Sequence, residues 1–363
     1  GIRVSANTYT NAGDMKKYKA TLEIRSKALY GKRDKALELM KEILLTSRFE
    51  DTKRLYEIIA ETKSRMQATM ISAGHSVALI RGLSYFSPTA AVSEQISGIP
   101  QYRLLEELEK NFEAKKEELV KNLKELCRII FRPENLLVDY TATEEGYPGL
   151  EQVVCEFKAA LYTAEIGEEG YRPRLSKKNE AFLTAGQVQY VCRTGNFVDQ
   201  GLAYTGALKV LKVMMGMDYL WNRIRVKGGA YGCMCGFYKN GDGYFVSYRD
   251  PNLEKTIDVY EQAAEYIRNT RLDERTVTQF IIGAVSELDT PMTPAAKGLY
   301  SLGGYLTGLS MDELLATTGE TIRGLFRYVE AFMEGNNLCV VGNGEKLKES
   351  SALFMNLDQL FHN

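Results

Sequence analysis

The sequence predicts an α+β protein built from two copies of one domain. Three observations predict it. The order hairpin, helix, helix, further helices, strand, helix occurs twice along the 363 residues. The text recurs as well: Ser47-Arg48-Phe49-Glu50 answers Thr270-Arg271-Leu272-Asp273, with Arg48 and Arg271 offset by 223 residues. Self-similarity at fixed spacing marks duplicated units. Further on, Asn135-Leu136-Leu137-Val138 resembles Asn337-Leu338-Cys339-Val340, each followed by a turn and a helix. The second copy has a lead-in over residues 181–221 that the first lacks. The first domain therefore reads as incomplete, and the intact protein as extending further N-terminally.

The elements follow in order. Ile2 to Tyr9 and Tyr18 to Leu29 alternate as strands around a turn at Asn11-Ala12-Gly13-Asp14. Lys32 to Leu45 carries Leu37, Met40, Ile43 and Leu44 at helical spacing. Asp51 caps a long helix through about Met70, and helical patterns continue past His75 to Tyr85 and from Pro88. Leu104 to Ile130 reads as one charged helix, with Lys115 and Lys116 interrupting any coiled-coil seam. Asn135 to Thr141 reads as a buried strand and Leu150 to Tyr162 as a helix. Residues 164–178, with Gly167, Gly170 and Pro173 among charges, read as a linker between units at 1–163 and 179–363. Ala181 to Arg193 reads as a strand and Ala203 to Trp221 as an apolar helix. Two strands, Tyr231 to Tyr238 and Tyr244 to Arg249, are joined by Lys239-Asn240-Gly241-Asp242, and Asn-Gly is a strong hairpin signal. Leu253 to Ile267, Asp273 to Leu288 and three shorter segments follow as helices, then a strand at Leu338 to Val341 and a last helix from Glu345 to Phe361.

Composition excludes several classes. Apolar residues make up 45% and charged residues 26%, with a net charge of −1, ordinary for a globular protein and poorly suited to nucleic acid. No apolar run approaches the ~20 residues of a membrane span. Six scattered cysteines are too sparse for a disulfide scaffold and point to a reducing compartment, and two histidines make a self-contained catalytic zinc site improbable.

The chemistry-bearing stretch runs Tyr219-Leu-Trp-Asn-Arg-Ile-Arg-Val-Lys-Gly-Gly-Ala-Tyr231-Gly. In a straight strand Arg225 and Tyr231 would stand roughly 20 Å apart, at ~3.3 Å per residue. Gly228 and Gly229 lie between them, and glycine permits the sharp turn that would unite a permanent cation and a phenol. The plainer reading is a glycine loop with Arg225 solvated and Tyr231 packed. Other motifs are weaker. Cys233-Met234-Cys235 offers two thiols on one strand face without a second pair, so small core residues are the simpler reading. Gly342-Asn343-Gly344-Glu345-Lys346 lacks phosphate-loop spacing and reads as a turn and helix start, leaving a nucleotide-binding protein as a remote class. His75 reads as structural, and His362 as part of a terminal tail.

Leu220-Trp221-Asn222 with Ile224-Arg225-Val226-Lys227-Gly228-Gly229-Ala230-Tyr231-Gly232 is similar to a signature of the insulinase/pitrilysin zinc metallopeptidases, in the presequence-protease branch. Lys63-Ser64-Arg65-Met66, Ser72-Ala73-Gly74-His75-Ser76 and Ser93-Glu94-Gln95-Ile96-Ser97-Gly98 resemble the family's third domain, and Phe182 to Val191 the entry to its fourth. The resemblance spans essentially the whole chain. It implies two related domains, each an antiparallel sheet with helices packed on one face, forming one bowl-shaped half of a closed chamber. Residues 1–163 would be the C-terminal part of the third domain and 179–363 the fourth. The family's inverted zinc motif His-x-x-Glu-His does not occur in this sequence. Zinc would therefore sit on the absent N-terminal half, the chain's main partner, and this chain would hold no metal. The family's C-terminal Arg and Tyr carry over to Arg225 and Tyr231 as catalytic groups, with Gly228, Gly229 and Ala230 beside them for substrate binding. In zinc peptide hydrolysis a metal-bound water attacks the scissile carbonyl, and a phenol aimed at its oxygen stabilises the charge that builds there. The resemblance implies short unstructured peptides as substrates, no nucleic acid or membrane partner, and a bacterial-type cytoplasm or organelle matrix. A catalytically silent, peptide-binding scaffold of the same fold is the competing reading.

Overall fold

A computed structural model describes all residues except 12–13, 165, 168–169, 308–316 and 363. The first copy opens with a hairpin of β1 (Ile2–Asn11) and β2 (Asp14–Ser26), antiparallel from Ile2 opposite Ser26. The middle of its expected turn, residues 12 and 13, lies outside the described residues. Helices α1 (Arg33–Thr46) and α2 (Thr52–Ser72) follow, and the Asp51 carboxylate caps α2 by accepting from the Arg54 amide at 3.0 Å. Then come α3 (Gly74–Leu83), α4 (Pro88–Ser97), α5 (Ile99–Lys110), α6 (Phe112–Ile130) and α7 (Leu150–Ala159). The single charged helix expected over 104–130 is two, broken at Asn111.

Residues 136–143 form no strand, contrary to expectation. No neighbouring strand among the described residues offers them a ladder. Leu137 and Val138 are exposed, and the Asn135 side chain is occupied in donating to the Ile129 carbonyl at 3.0 Å. The described part of 164–178 has neither helix nor strand.

The second copy is organised on a six-stranded sheet in the order β5-β6-β4-β7-β3-β8. Its strands are β3 (Glu180–Thr184), β4 (Gln189–Asn196), β5 (Gly232–Phe237), β6 (Asp242–Tyr248), β7 (Asn337–Asn343) and β8 (Asn356–Gln359). The single strand expected over 181–193 is thus two, flanking β7 on either side. The last helix stops early, at α15 (Gly344–Glu349), and the chain returns as β8 along the free edge of β3. Serines 350 and 351 end the helix, a residue type that competes for backbone hydrogen bonds.

The α+β class holds, with two differences of detail. The larger sheet is mixed, because β7 and β8 both run parallel to β3. Both of its faces are covered. Along β7, Leu338 and Val340 face one core and Cys339 and Val341 the other. Burying a large apolar side chain is worth ~1.5–3 kcal/mol, so strands apolar on both alternating sets need cover on both sides. One face packs on α8 (Ala207–Met214), α9 (Glu254–Glu261), α10 (Ala263–Asn269), α11 (Glu274–Leu288), α13 (Gly319–Gly324) and α14 (Phe326–Glu334), while α12 (Pro294–Thr307) lies against β1. The other face is covered by the first copy: Met70 of α2, Val77 and Ala78 of α3, and Ile99 and Tyr102 of α5.

A buried ion cluster fixes that second face. Arg81 on α3 donates to both oxygens of Glu180 at the start of β3, at 2.7 and 3.0 Å, and reaches Glu94 of α4 at 3.5 Å. One guanidinium thus faces two carboxylates, and Glu94 is the poorer partnered: it accepts from the Ile99 amide at 3.3 Å, while its Oε2 is buried without a partner. Burial pushes the Glu94 carboxyl up from 4.5 to about 7, against the pull of Arg81. The folded state therefore binds a proton there that the unfolded chain releases. The stability it contributes is full below about pH 4.5 and is lost as pH rises through about 7. Glu94→Gln is expected to flatten the fall of the thermal midpoint across that interval, followed by circular dichroism; an unchanged slope would exonerate Glu94.

Candidate functional site

The site lies where the helix after α8 meets the β5–β6 hairpin. The helix expected over 203–221 begins at Ala207 and continues past Trp221 by widening into two π-helical stretches, Met215–Tyr219 and Trp221–Val226. Its amides bond five residues back, Leu220 to Met215 and Lys227 to Asn222, a winding common at functional sites. Ile224 and Leu220 anchor its inner face in the core, which leaves Trp221 and Arg225 together on the outside.

The glycine turn then reverses the chain. Gly229 takes φ +80°, and a Cβ on Gly228 would stand 2.5 Å from the Ile224 carbonyl oxygen. The Gly229 amide donates to the Arg225 carbonyl at 2.9 Å and the Ala230 amide to that of Ile224 at 3.1 Å. Asn252 holds the turn from the other side, its Nδ2 donating to the Gly228 carbonyl at 2.6 Å. Asn252 is itself set by Asp250, whose buried carboxylate accepts from the Asn252 amide at 2.9 Å and the Thr256 hydroxyl at 2.6 Å. Burial raises the Asp250 carboxyl above its ordinary range, opposed by these bonds.

The turn brings Arg225 and Tyr231 together. The Arg225 guanidinium lies 4.0 Å from the Trp221 ring centre and 5.6 Å from that of Tyr231. Tyr231 is 65% exposed. Its amide donates to the Tyr248 carbonyl at 3.0 Å, and its ring meets Tyr248 edge-on at 5.8 Å. Among the described residues neither the Tyr231 hydroxyl nor the Arg225 guanidinium has a hydrogen bond or carboxylate partner. Both line an open cavity of about 410 Å³ with Trp221, Val226, Gly229, Ala230 and Arg249. The plainer reading of a packed Tyr231 is thus not what the fold gives. Gly229 presents backbone to the cavity, Gly228 is tucked against Ile224, and the Ala230 methyl is buried in the core.

Sequence reasoning missed the flank of this site. His75 of α3 packs edge-on against Tyr248 at 4.8 Å, and Tyr190 of β4 lies 5.8 Å from the same ring. Burial lowers the His75 pKa by disfavouring the charged ring. The Arg249 guanidinium lies 5.7 Å from Tyr248. Pairing of β4 with β6 brings Tyr190 to Tyr248 and Arg249, and only the docking of the first copy on the sheet adds His75.

The other motifs resolve as structure. Cys233 and Cys235 point into the core toward the Tyr260 hydroxyl and the Lys212 carbonyl, and burial pushes the Cys235 thiol up to about 12. Cys192 and Cys339 are buried, Cys127 half-buried, Cys155 exposed, and all six cysteines are free. Asn343 caps α15 by accepting from the Lys346 amide at 2.9 Å, and Lys346 Nζ is occupied by the Pro251 carbonyl. His362 lies beside Glu106 and Asp358. Among the described residues no group of three or more His, Cys, Asp or Glu is placed to hold a metal ion. Among them, too, no helix is long and apolar enough to cross a membrane.

Comparison with known proteins adds names to this geometry. Residues 179–333 match the family described as PreP C-terminal domain, and residues 1–108 match a domain described as associated with the peptidases of family M16, subfamily C. Protein HypA of Clostridium perfringens is 36% identical over 98% of this chain and 37% of its own length. Presequence protease 1, chloroplastic/mitochondrial, of Arabidopsis thaliana is 31% identical over 80% of this chain and 27% of its own. The chain thus spans about a third of the length of these curated relatives. Among solved structures, a protease from Helicobacter pylori superposes with a TM-score of 0.55 at 11% identity, over 94% of this chain and 82% of that one. Pitrilysin superposes with 0.53 at 8% identity, over 94% of this chain and 35% of that one.

The turn makes two separable demands. Gly229→Ala keeps its space but must adopt φ +80°, a cost of ~1 kcal/mol. Gly228→Ala must displace the Ile224 carbonyl, so it is expected to lower the urea midpoint further than Gly229→Ala; equal losses would mean that the turn yields without strain.

Proposed function

This chain belongs to the insulinase/pitrilysin (peptidase M16) family, matching its C-terminal half, and from that premise we propose that Arg225 and Tyr231 are the groups with which it acts on a peptide substrate. One observation carries the reading: a guanidinium and a phenol, neither hydrogen-bonded nor ion-paired among the described residues, face one open cavity. In peptide hydrolysis negative charge builds on the oxygen of the scissile carbonyl. The Tyr231 hydroxyl is a donor for that oxygen, and one such donor is typically worth about 10²–10³ in rate. Arg225 offers a planar fork of donors to a substrate carbonyl or carboxylate. Its stack on Trp221 fixes the fork beforehand, so less ordering is left to binding. Gly229 contributes a backbone wall against which an extended peptide can lie closely.

The residues described do not suit a catalytic metal, so zinc in an enzyme of this kind would be held outside this chain, on an N-terminal half that is its partner. The chain is then half of a site, and Arg225 and Tyr231 act in trans. Short unstructured peptides enclosed between two halves are the substrates this reading implies. One relative is named chloroplastic/mitochondrial, which is compatible with the organelle matrix that this reading proposes; a bacterial-type cytoplasm is the other proposed setting. Two experiments test it. In the full-length protein Tyr231→Phe should lower kcat about 10²–10³-fold with a smaller change in KM; an unchanged kcat removes Tyr231 from the chemistry. The 363-residue chain alone should cleave no peptide and bind no stoichiometric zinc. A full-length protein that binds peptides without cleaving them would favour the scaffold reading.

A further inference from the structure

We propose that Arg249 is a specificity-determining residue, forming with Arg225 a carboxylate cradle that selects an acidic residue or the chain terminus of the bound peptide. The inference rests on the peptide-acting reading of this cavity and deepens it. Arg249 lines the same cavity as Arg225, yet comes from the other side, after β6 rather than before β5. Its backbone takes φ +49°, a region that residues other than glycine and asparagine adopt rarely. The conformation is imposed from both sides. Gln189 and Asp250 exchange backbone hydrogen bonds of 2.7 and 2.8 Å, and the Arg249 carbonyl accepts from the Tyr231 amide at 3.3 Å. Glycine would meet those demands without strain, so what arginine adds is its guanidinium. Strain of this kind gathers at functional positions.

The charges agree. Among the described residues no carboxylate pairs with Arg225 or Arg249. The one acidic group beside them in sequence, Asp250, is buried and turned inward to Thr256 and Asn252. Two like charges on one cavity repel until an anion lies between them, and arginine forks match a carboxylate bidentately. The rings between them keep the forks apart and oriented: Arg249 on Tyr248, Tyr248 on Tyr231, Tyr231 beside Arg225, and Arg225 on Trp221. The same field disfavours a lysine or arginine at that subsite.

Arg249→Asn removes the charge and keeps a residue tolerant of φ > 0. Arg223→Gln is the control, since Arg223 faces Gln262 and Tyr219 in a separate groove. Fluorescent peptides of one sequence carry Glu or Lys at a single scanned position, and each is made with a free or an amidated C-terminus. Binding is measured on the 363-residue chain and cleavage on the full-length protein. Arg249→Asn is expected to lower the Glu-over-Lys affinity ratio about tenfold if a side chain is read, or the acid-over-amide ratio if the terminus is read. Arg223→Gln should change neither ratio. Both ratios unchanged in Arg249→Asn, or an equal loss in Arg223→Gln, overturns the inference. Cleavage with no dependence on Arg249 would leave the peptidase reading standing without it; Arg249-dependent binding without cleavage would do the reverse.

Discussion

The structure depends on a sheet that is apolar on both faces. Strands β3, β4 and β7 alternate between two sets of buried side chains, and the helices of their own copy can cover only one set. The second is covered by α2, α3 and α5 from the first copy. Duplication in the sequence and packing in space therefore do not coincide: the copies are separate as text and joined as cores. The Arg81–Glu180 pair sits in that junction. Breaking it would strand a charge in an apolar layer, which costs far more than an exposed pair contributes.

This junction reaches the site. His75 opens α3 and packs on Tyr248, Tyr248 packs on Tyr231, and Tyr231 stands beside Arg225. The wall of the cavity is thus seated partly on the first copy, although every residue lining the cavity belongs to the second. A β-hairpin supplies one side of that wall and a widened helix the other, and the Asp250–Asn252–Gly228 chain of hydrogen bonds fastens the two.

Much of this was legible in the sequence, where local rules decide the outcome. Asp51, the Asn240-Gly241 hairpin and the glycine turn at 228–229 carry their own signals, and the resemblance singled out Arg225 and Tyr231. What could not be read was whatever depends on a neighbour. Asn135–Thr141 looks like a strand, but a strand is made by its partner, and among the described residues no strand lies beside it. The end of the chain reads as helix until β3 offers an open edge to residues 356–359. Tyr248 and Arg249 had no motif, and His75, though inside the Ser72–Ser76 motif, read only as structural, because their proximity follows from docking and from one residue held at positive φ.

The cysteines, once placed, change what can be done with the molecule. Three of the six, Cys192, Cys235 and Cys339, lie buried in the layers of the sheet, with thiols that burial holds protonated, and a protonated, inaccessible thiol neither attacks an electrophile nor exchanges with a disulfide. Cys233 is half-buried beside them, its thiol also pushed up by burial. Cys155 on α7 is the exposed one. A maleimide dye or spin label would therefore be drawn to the first copy, on a helix that contributes nothing to the Arg225 cavity. The wild-type chain already carries a near-unique attachment point, so distance and rotation measurements need no cysteine removed from the core.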